Sequence, residues 1–285
     1  MSLILSLLID GIAYGVILFM IAIGLSVTLG LMRVINLAHG GFVLLGGALS
    51  SWLTVQGMSY WLALVVAVAG TVAVALPMER LLYRRIYGFS ELAQVLATIG
   101  ITFLIIASIN VIFGSAILPI RLPPALQGSV DLGFRTLPAH RLFVISAGLV
   151  VIAALYWLIE RTRFGVRLRA AMDNRKAAAA LGVDTGALYA ATFCLGAGLA
   201  ALGGILGAEL LPVEAYYPLR HMALFLIVVA VGGMGSISGS FAAAIGLGII
   251  DTITRYVAPD LGSTPYFLLV IALLSLRPNG LLGRA

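Results

Sequence analysis

Two polar side chains, Asn36 and His39, stand in an otherwise apolar stretch and are the first candidates for chemistry. An amide or imidazole that loses water without gaining a partner costs several kcal/mol, so both must bond to protein or to a wet path. One interpretation is that they line or gate a polar pathway, together with the backbone of the Gly-rich turn near Gly40. The alternative is that Asn36 caps a helix beginning near Leu37, with His39 in its first turn near a membrane surface. The two interpretations are compatible.

The side chains needed for common kinds of catalysis do not occur at the required spacing. The one lysine, Lys176, follows Arg175, so the sequence has no G-x-x-x-x-G-K-[ST] phosphate loop and cannot hydrolyse ATP by that route. It has no G-x-S-x-G nucleophile motif, and its three histidines lack the spacing of a zinc site. The single cysteine, Cys194, excludes a disulfide framework. We therefore expect no catalytic, metal or cofactor site in this chain.

The acidic residues argue against ion-coupled transport by this chain alone. A proton- or sodium-coupled carrier usually needs an intramembrane carboxylate or a comparable ion site. Only Asp251 could fill that role, and Arg255 follows it by one helical turn, which predicts an i,i+4 ion pair close to the outer surface. The other acids near apolar segments form no spaced pair inside one span; they are Asp10, Glu209 and Glu214.

The segment from Glu160 to Lys176 carries six basic residues in a chain that is otherwise almost uncharged. Its pattern predicts a break at Gly165, a short helix over 169–181 parallel to the membrane, and a stop at Gly182. Orientation of the neighbouring spans would need only two or three arginines, so we favour docking into a groove of a soluble partner over a purely topogenic role. The apolar side of the helix would hold Leu168, Ala171, Met172, Ala179 and Leu181. The residues predicted to make the docking contact are Gly165, Arg169, Ala177, Ala179, Leu181 and Gly182.

Transmembrane helices must position these residues. The 285 residues are 62% hydrophobic and only 10% charged, with a mean hydropathy of +1.14, which excludes a water-soluble domain. We predict an all-α polytopic membrane protein with eight to ten crossings, forming a single transmembrane domain over 1–285 with the segment 160–186 at its surface. The predicted spans are 8–31, 40–56, 60–78, 92–113, 141–159, 187–210, 221–233, 239–257 and 264–276.

The distribution of arginine and lysine predicts the orientation. The net charge of +6 would suggest nucleic acid in a soluble protein, but the basic residues cluster between spans, where they meet anionic lipid head groups. Twelve basic residues fall in the loops of one side and five in those of the other, which places the segment 160–186 and the C-terminus in the cytoplasm. The Pro-rich loop 114–140 is then external, as a linker or as a surface for an extracytoplasmic partner.

Two Gly-rich stretches, Gly30–Phe42 and Gly232–Phe241, look like interrupted helices. At an offset of 199 positions they share Gly40 with Gly239 and Phe42 with Phe241, which suggests an internal repeat. Paired interruptions in the two halves of a chain are typical of transporter cores built from repeats. The predicted pathway residues are Asn36, His39, Gly40, Gly232, Gly235 and Gly239.

Several motifs together resemble one family. They are Gly24-Leu25-Ser26 with Leu31 to Gly40; Thr162-Arg163-Phe164-Gly165 with Leu181-Gly182-Val183; Phe193 to Gly204; Gly232 to Ile237; and Arg277-Pro278-Asn279-Gly280-Leu281-Leu282-Gly283. They cover essentially the whole chain. On these motifs the chain resembles the permease subunits of branched-chain amino-acid ABC importers, of the LivH type, found in bacterial inner membranes.

The resemblance implies a set of partners. They are a second, LivM-like permease subunit, two cytoplasmic ATP-binding subunits, an extracytoplasmic solute-binding protein and the lipid bilayer, with no nucleic acid. It also implies that the segment equivalent to 165–183 is the coupling helix that inserts into the ATPase. Members of the family also carry urea and short amides, so that cargo stays an alternative. A self-sufficient secondary carrier or channel for small polar solutes is the alternative from another class.

Overall fold

The computed structural model describes residues 2–32, 36–131, 133, 136–262 and 264–282, so Arg33–Ile35 of the first predicted interruption, Arg135 and Arg284 lie outside the described residues. The described chain is predominantly helical with only two short strands, which confirms the predicted all-α polytopic membrane fold. The helices are α1 Ser2–Met32, α2 His39–Val55, α3 Tyr60–Met78, α4 Arg84–Ile86, α5 Glu91–Phe113, α6 Pro124–Gln127, α7 Ala139–Arg161, α8 Arg163–Asp173, α9 Arg175–Ala180, α10 Thr185–Gly207, α11 Tyr217–Gly232, α12 Ile237–Val257 and α13 Thr264–Leu276.

Each of the nine predicted spans coincides with one helix. Among the described residues, six segments are long and apolar enough to cross a membrane: Leu3–Gly30, Tyr60–Ile86, Glu91–Phe113, Ala139–Arg161, Thr185–Gly207 and Ile237–Val257. The other three, α2, α11 and α13, have 17, 16 and 13 residues. At about 1.5 Å per residue these three are shorter than a bilayer core of about 30 Å.

Two helices extend more than four residues beyond their predicted bounds. α1 begins at Ser2, because residues 2–7 continue the same apolar pattern. α3 does not end at Met78 but continues through a π-helical turn, Glu79–Tyr83, into α4. Pro77 lies inside α3 just before this turn. Since proline has no N–H to donate to the preceding turn, it loosens the helix where the wider π-helical turn begins.

α1 is the central helix, and it is buried along most of its length. Glycines allow close approach to its neighbours: Gly15 lies against Ala244 and Ile245 of α12, and Gly24 against Gly196 of α10. Without a hydrophobic driving force between helices in lipid, such contacts of small residues are a main source of packing energy. The outer faces of the surrounding helices expose large apolar side chains, among them Trp61, Leu104, Trp157 and Ile271.

The glycine contacts also give the relative directions of the helices. α1 runs antiparallel to α12, because Gly11 faces Ile249 whereas Gly30 faces Gly235. It runs antiparallel to α10 as well, because Gly207 faces Ile17 whereas Gly196 faces Gly24. The end of α1 therefore lies at the same end of the bundle as the starts of α10 and α12.

Basic residues gather at that end, which we call the arginine-rich end. Arg84 contacts Gly186 in the first turn of α10, and the short C-terminal segment returns there, where Leu281 N donates to Val231 O at 2.7 Å. The arginine-rich end holds Arg80, Arg84, Arg85, Arg277 and the six basic residues of the segment 161–176. The basic residues that the sequence assigns to the loops of one side therefore also lie together in space.

The opposite end holds the Pro-rich loop 114–140, which is ordered over its described residues. It contains α6 and a two-stranded antiparallel ladder, β1 Ser129–Asp131 with β2 Thr136–Pro138. Ser51 Oγ donates to Pro119 O at 2.7 Å, which ties the loop to α2. Ion pairs at this end join Asp10 to Arg141, Glu214 to Arg220 and, as predicted, Asp251 to Arg255 at 2.7 Å.

Candidate functional site

The turn between α1 and α2 is built around Asn36, which is 2% exposed. Its Oδ1 accepts a hydrogen bond from Ala38 N at 3.1 Å and another from Tyr83 Oη at 2.8 Å. The first bond forms a local turn of the kind that Asn favours. α2 begins only at His39, and its N-cap position is Ala38 without a side-chain bond. The helix therefore begins two residues after the predicted start, and the Asn36 amide bonds the backbone N–H two residues on, as a capping side chain does, in the turn just before it.

His39 is 1% exposed and lies between helices, not at a membrane surface as the local interpretation expected. Its Nε2 lies 2.7 Å from Ile21 O, a carbonyl of α1. Its Cε1 occupies the space that a Cβ on Gly24 would need, at 2.7 Å. Thus the imidazole finds its partner in the backbone of the central helix, and Gly24 makes room for it.

The backbone of Leu37 is held by two threonines of α5. Leu37 N donates to Thr98 Oγ1 at 3.3 Å, and Thr102 Oγ1 donates to Leu37 O at 3.1 Å. Irregular backbone at membrane depth must find partners in protein, and these hydroxyls supply them. Neither these threonines nor Tyr83 were among the residues predicted from the sequence. The one available signal was the pair of threonines one helical turn apart in an apolar span.

The second interruption joins α11 to α12 through residues 233–236. Gly233 and Gly235 have φ values of +97° and +79°, which other residues rarely adopt. Ser236 caps α12, since Gly239 N donates to Ser236 Oγ at 3.0 Å. A Cβ on Gly239 would overlap Gly232 O, and a Cβ on Gly232 would lie 2.5 Å from Ser240 N. Two of the predicted glycines, Gly232 and Gly239, therefore close the turn by backbone-to-backbone contact.

The structure brings only some of the predicted pathway residues together. Gly232, Gly235 and Gly239 form one packed corner, which touches α1 where Gly30 meets Gly235. Asn36 contacts the continuation of α3, and His39 contacts α1. Gly40 packs against Pro218 of α11, where a Cβ would lie 3.1 Å from the Pro218 Cα. The two Gly-rich stretches therefore touch directly at Gly30 and Gly235, whereas Asn36, His39 and Gly40 contact other helices.

The basic segment after α7 forms two helices, α8 and α9, and not the single helix predicted over 169–181. The break falls at Asn174, whose side chain accepts from Ala177 N at 3.0 Å and so caps α9. Gly165 is not a break either, because α8 begins at Arg163, capped by Thr162. A Cβ on Gly165 would overlap Ile159 O, so the glycine allows α8 to fold back tightly on α7.

The buried and exposed side chains of α8 and α9 agree only in part with the predicted docking surface. Leu168 and Ala171 are buried against the rest of the chain and cannot contact a partner. Arg169 donates to Ile159 O and lies 3.4 Å from Glu160, so its guanidinium also bonds within the chain. The exposed apolar surface is carried by Val166, Ala177, Ala179 and Leu181, and Leu181 is 85% exposed.

Gly182 ends α9 in the predicted place. Its φ is +84°, Gly182 N donates to Ala179 O at 3.0 Å, and Val183 N donates to Ala178 O at 3.1 Å. These bonds satisfy the last carbonyls of α9, as a glycine at a helix C-terminus typically does. As a result Leu181 projects from a fixed backbone position at the arginine-rich end.

Comparison with known proteins decides the family. The family model described as the permease component of branched-chain amino acid transport systems matches residues 7–276. The chain belongs to this family. It is 27% identical over 292 residues to the high-affinity branched-chain amino acid transport system permease protein LivH of Escherichia coli (strain K12), covering 96% of this chain and 94% of the relative. It is 26% identical to the corresponding protein BraD of Pseudomonas aeruginosa, covering 97% of this chain and 95% of that protein.

Two further likenesses extend this picture. The autoinducer 2 import system permease protein LsrC of Escherichia coli is 32% identical over 130 residues, covering 42% of this chain and 38% of that protein. Among solved structures, PsaBC from Streptococcus pneumoniae in complex with Fab is similar with a TM-score of 0.52 at 11% identity, covering 94% of this chain and 89% of that chain. The last likeness shows the fold alone. The chain is thus a permease subunit of an ABC transport system, embedded in a membrane through several helices.

Proposed function

We propose that this permease carries branched-chain or closely related amino acids into a bacterial cell, as half of a transmembrane core completed by a second related permease. The names of the full-length relatives support this cargo. The contacts of Asn36, His39 and the 232–239 corner support a pathway near these interruptions, since polar groups and irregular backbone lie there inside an apolar bundle.

The observation that carries the proposal is the exposed surface of α9 and Leu181. A partner that receives Ala177, Ala179 and Leu181 in a groove would hold this segment against its own surface. Because α8 is fixed to α7 by Arg169 and Gly165, force applied at α9 passes directly into the bundle. The segment 160–186 therefore acts as the coupling element for two cytoplasmic ATP-binding subunits, which carry out the ATP hydrolysis.

The proposed orientation in the membrane follows from the exposed surface of α9 and Leu181. The arginine-rich end faces the cytoplasm, together with the C-terminal segment that bonds to α11. The opposite end, with the ladder β1–β2, receives the extracytoplasmic solute-binding protein that supplies the cargo. The last proposed partner is the lipid of the bacterial inner membrane, into which the chain inserts.

Reconstitution tests the proposal. The chain is placed in liposomes alone, and again with its cognate second permease, ATPases and binding protein, and uptake of radiolabelled leucine is measured with and without ATP. We expect uptake only from the complete set with ATP. Equal uptake by the chain alone would identify a self-sufficient carrier or channel. Transport of urea by the complete set, with leucine excluded, would reassign the cargo.

A further inference from the structure

A cleft at the arginine-rich end lies between the continuation of α3 and the start of α10. Its volume is about 380 Å³, within the range of about 300–1,000 Å³ that small-molecule sites occupy. The side chains that line it include Glu79, Arg84, Tyr87, Arg175 and Tyr189. One wall therefore belongs to the membrane bundle, and the other to α9 of the coupling segment.

Glu79 supplies an incompletely bonded carboxylate. Its side chain is 1% exposed. Tyr87 Oη donates to Oε1 at 3.4 Å, and Arg84 Nε lies 3.8 Å from Oε2, beyond hydrogen-bond distance. Oε2 has no hydrogen-bond partner among the residues that the structure describes. Oε2 therefore has the charge of Arg84 nearby but receives no N–H donor, and a cationic donor in the cleft would stabilise it further.

Arg175 supplies the complementary charge. Its guanidinium carbon lies 4.7 Å from the centroid of the Tyr189 ring, so an aromatic face holds it in place. In the described part of the chain no carboxylate pairs with it. A guanidinium held by a ring face keeps its N–H donors for an oxyanion.

The cleft thus offers an acceptor for an ammonium group, donors for a carboxylate, and two tyrosine rings beside them. From this arrangement we infer that the cleft binds a free aliphatic α-amino acid, with its ammonium group on Glu79 and its carboxylate on Arg175. The choice of an amino acid rests on the proposed function, which delivers such molecules to this end. A phospholipid with an ethanolamine head group carries the same pair of charges, and the experiment separates the two. An occupant bridges α9 to the bundle and so restrains the coupling segment.

The test measures binding to the purified full-length chain in nanodiscs by titration calorimetry. The probes are L-leucine, 4-methylpentanoate, which lacks the ammonium group, and 3-methylbutylamine, which lacks the carboxylate. The variants are Glu79→Gln and Arg175→Gln, and the matched controls are Glu91→Gln and Lys176→Gln, which alter exposed residues of the same charge at the same end. Titrations are repeated in nanodiscs of phosphatidylglycerol alone and with added phosphatidylethanolamine.

We expect saturable leucine binding that neither analogue reproduces. Glu79→Gln and Arg175→Gln should each weaken it at least tenfold, and the two controls less than twofold. Equal binding of leucine and 4-methylpentanoate, or unchanged leucine binding in both cleft variants, would overturn the inference. Loss of leucine binding when phosphatidylethanolamine is present would assign the cleft to the lipid. The binding assay does not depend on transport, so it tests the site separately from the proposed function. If the complete importer takes up leucine but no leucine binds in the cleft, the site is refuted and the proposed function stands.

Discussion

Tyr83 donates a hydrogen bond from its hydroxyl to Asn36 Oδ1 at 2.8 Å, and so joins the turn after α1 to the π-helical continuation of α3. The same amide oxygen accepts from Ala38 N. Because both side chains are buried, the bond fixes the entry of α2 relative to the end of α3. A displacement of α2 or of the α3 continuation at the arginine-rich end is therefore transmitted to the turn after α1.

Tyr83→Phe should destabilise the chain modestly. The substitution removes one buried hydrogen bond but leaves Asn36 Oδ1 with its bond from Ala38 N, so the expected loss is about 0.5–1.5 kcal/mol. Thermal unfolding in detergent should show a Tm lowered by a few degrees. Tyr156→Phe is the matched control, since Tyr156 is 52% exposed on the outer face of α7. Equal Tm values for the two variants would show that the Tyr83 bond contributes nothing to stability.

Gly239→Leu should abolish transport, because a side chain there overlaps the backbone at Gly232. Gly40→Leu should act in the same direction, since its space is limited by Pro218. Gly246→Leu is the control on α12, where no atom of the described residues lies within 4 Å of the position that a Cβ would take. Leucine uptake is compared after confirming that each variant assembles with the ATPases. Normal uptake by the first two variants would mean that these glycines serve only packing away from the route.

Ala179→Glu should uncouple the permease from its ATPases. Ala179 is exposed on α9, so a carboxylate there leaves the bundle intact but enters the proposed contact unpaired, at a cost of roughly 2–5 kcal/mol. That cost corresponds to at least about a 30-fold loss of affinity. Co-purification and substrate-stimulated ATP hydrolysis report the effect, and Ala179→Ser is the neutral control. Wild-type stimulation in the charged variant would reduce the segment to a topogenic anchor.

Single cysteines at Asn174 and Gln127 should react with an impermeant thiol reagent from opposite sides of the membrane. Both positions are exposed, one at the arginine-rich end and the other in α6 at the opposite end. The background variant Cys194→Ala removes the half-buried native thiol and is itself the control for background labelling. Labelling of both cysteines from one side would refute the orientation.

The helices could be predicted from the sequence because each needs a long apolar run to cross the bilayer, and such runs are local. The ion pair between Asp251 and Arg255 was predictable for the same reason, since one helical turn separates them. The hydrogen-bond partners of Leu37 and Asn36 could not be predicted. Thr98, Thr102 and Tyr83 lie 47–65 positions away in the sequence, and no local rule connects them.

The coupling segment shows a different limit. The sequence Asp173-Asn174-Arg175 contains a good helix cap, yet it stands inside a stretch whose composition favours one continuous helix. The helix is interrupted at this cap, since the Asn174 side chain accepts a hydrogen bond from Ala177 N and the chain turns there. Likewise the burial of Leu168 and Ala171 depends on α8 folding back on α7, which the close approach of Gly165 to Ile159 permits.

The position of α1 at the centre of the bundle has a consequence for biosynthesis. The helix leaves the ribosome before its neighbour α12, which is made only after about 200 further residues, roughly 10–40 s later at usual rates of synthesis. During that interval the glycine faces of α1 meet lipid or the insertion machinery instead of their final partners. Newly made chains that stall before α12 should therefore be early targets of membrane proteases.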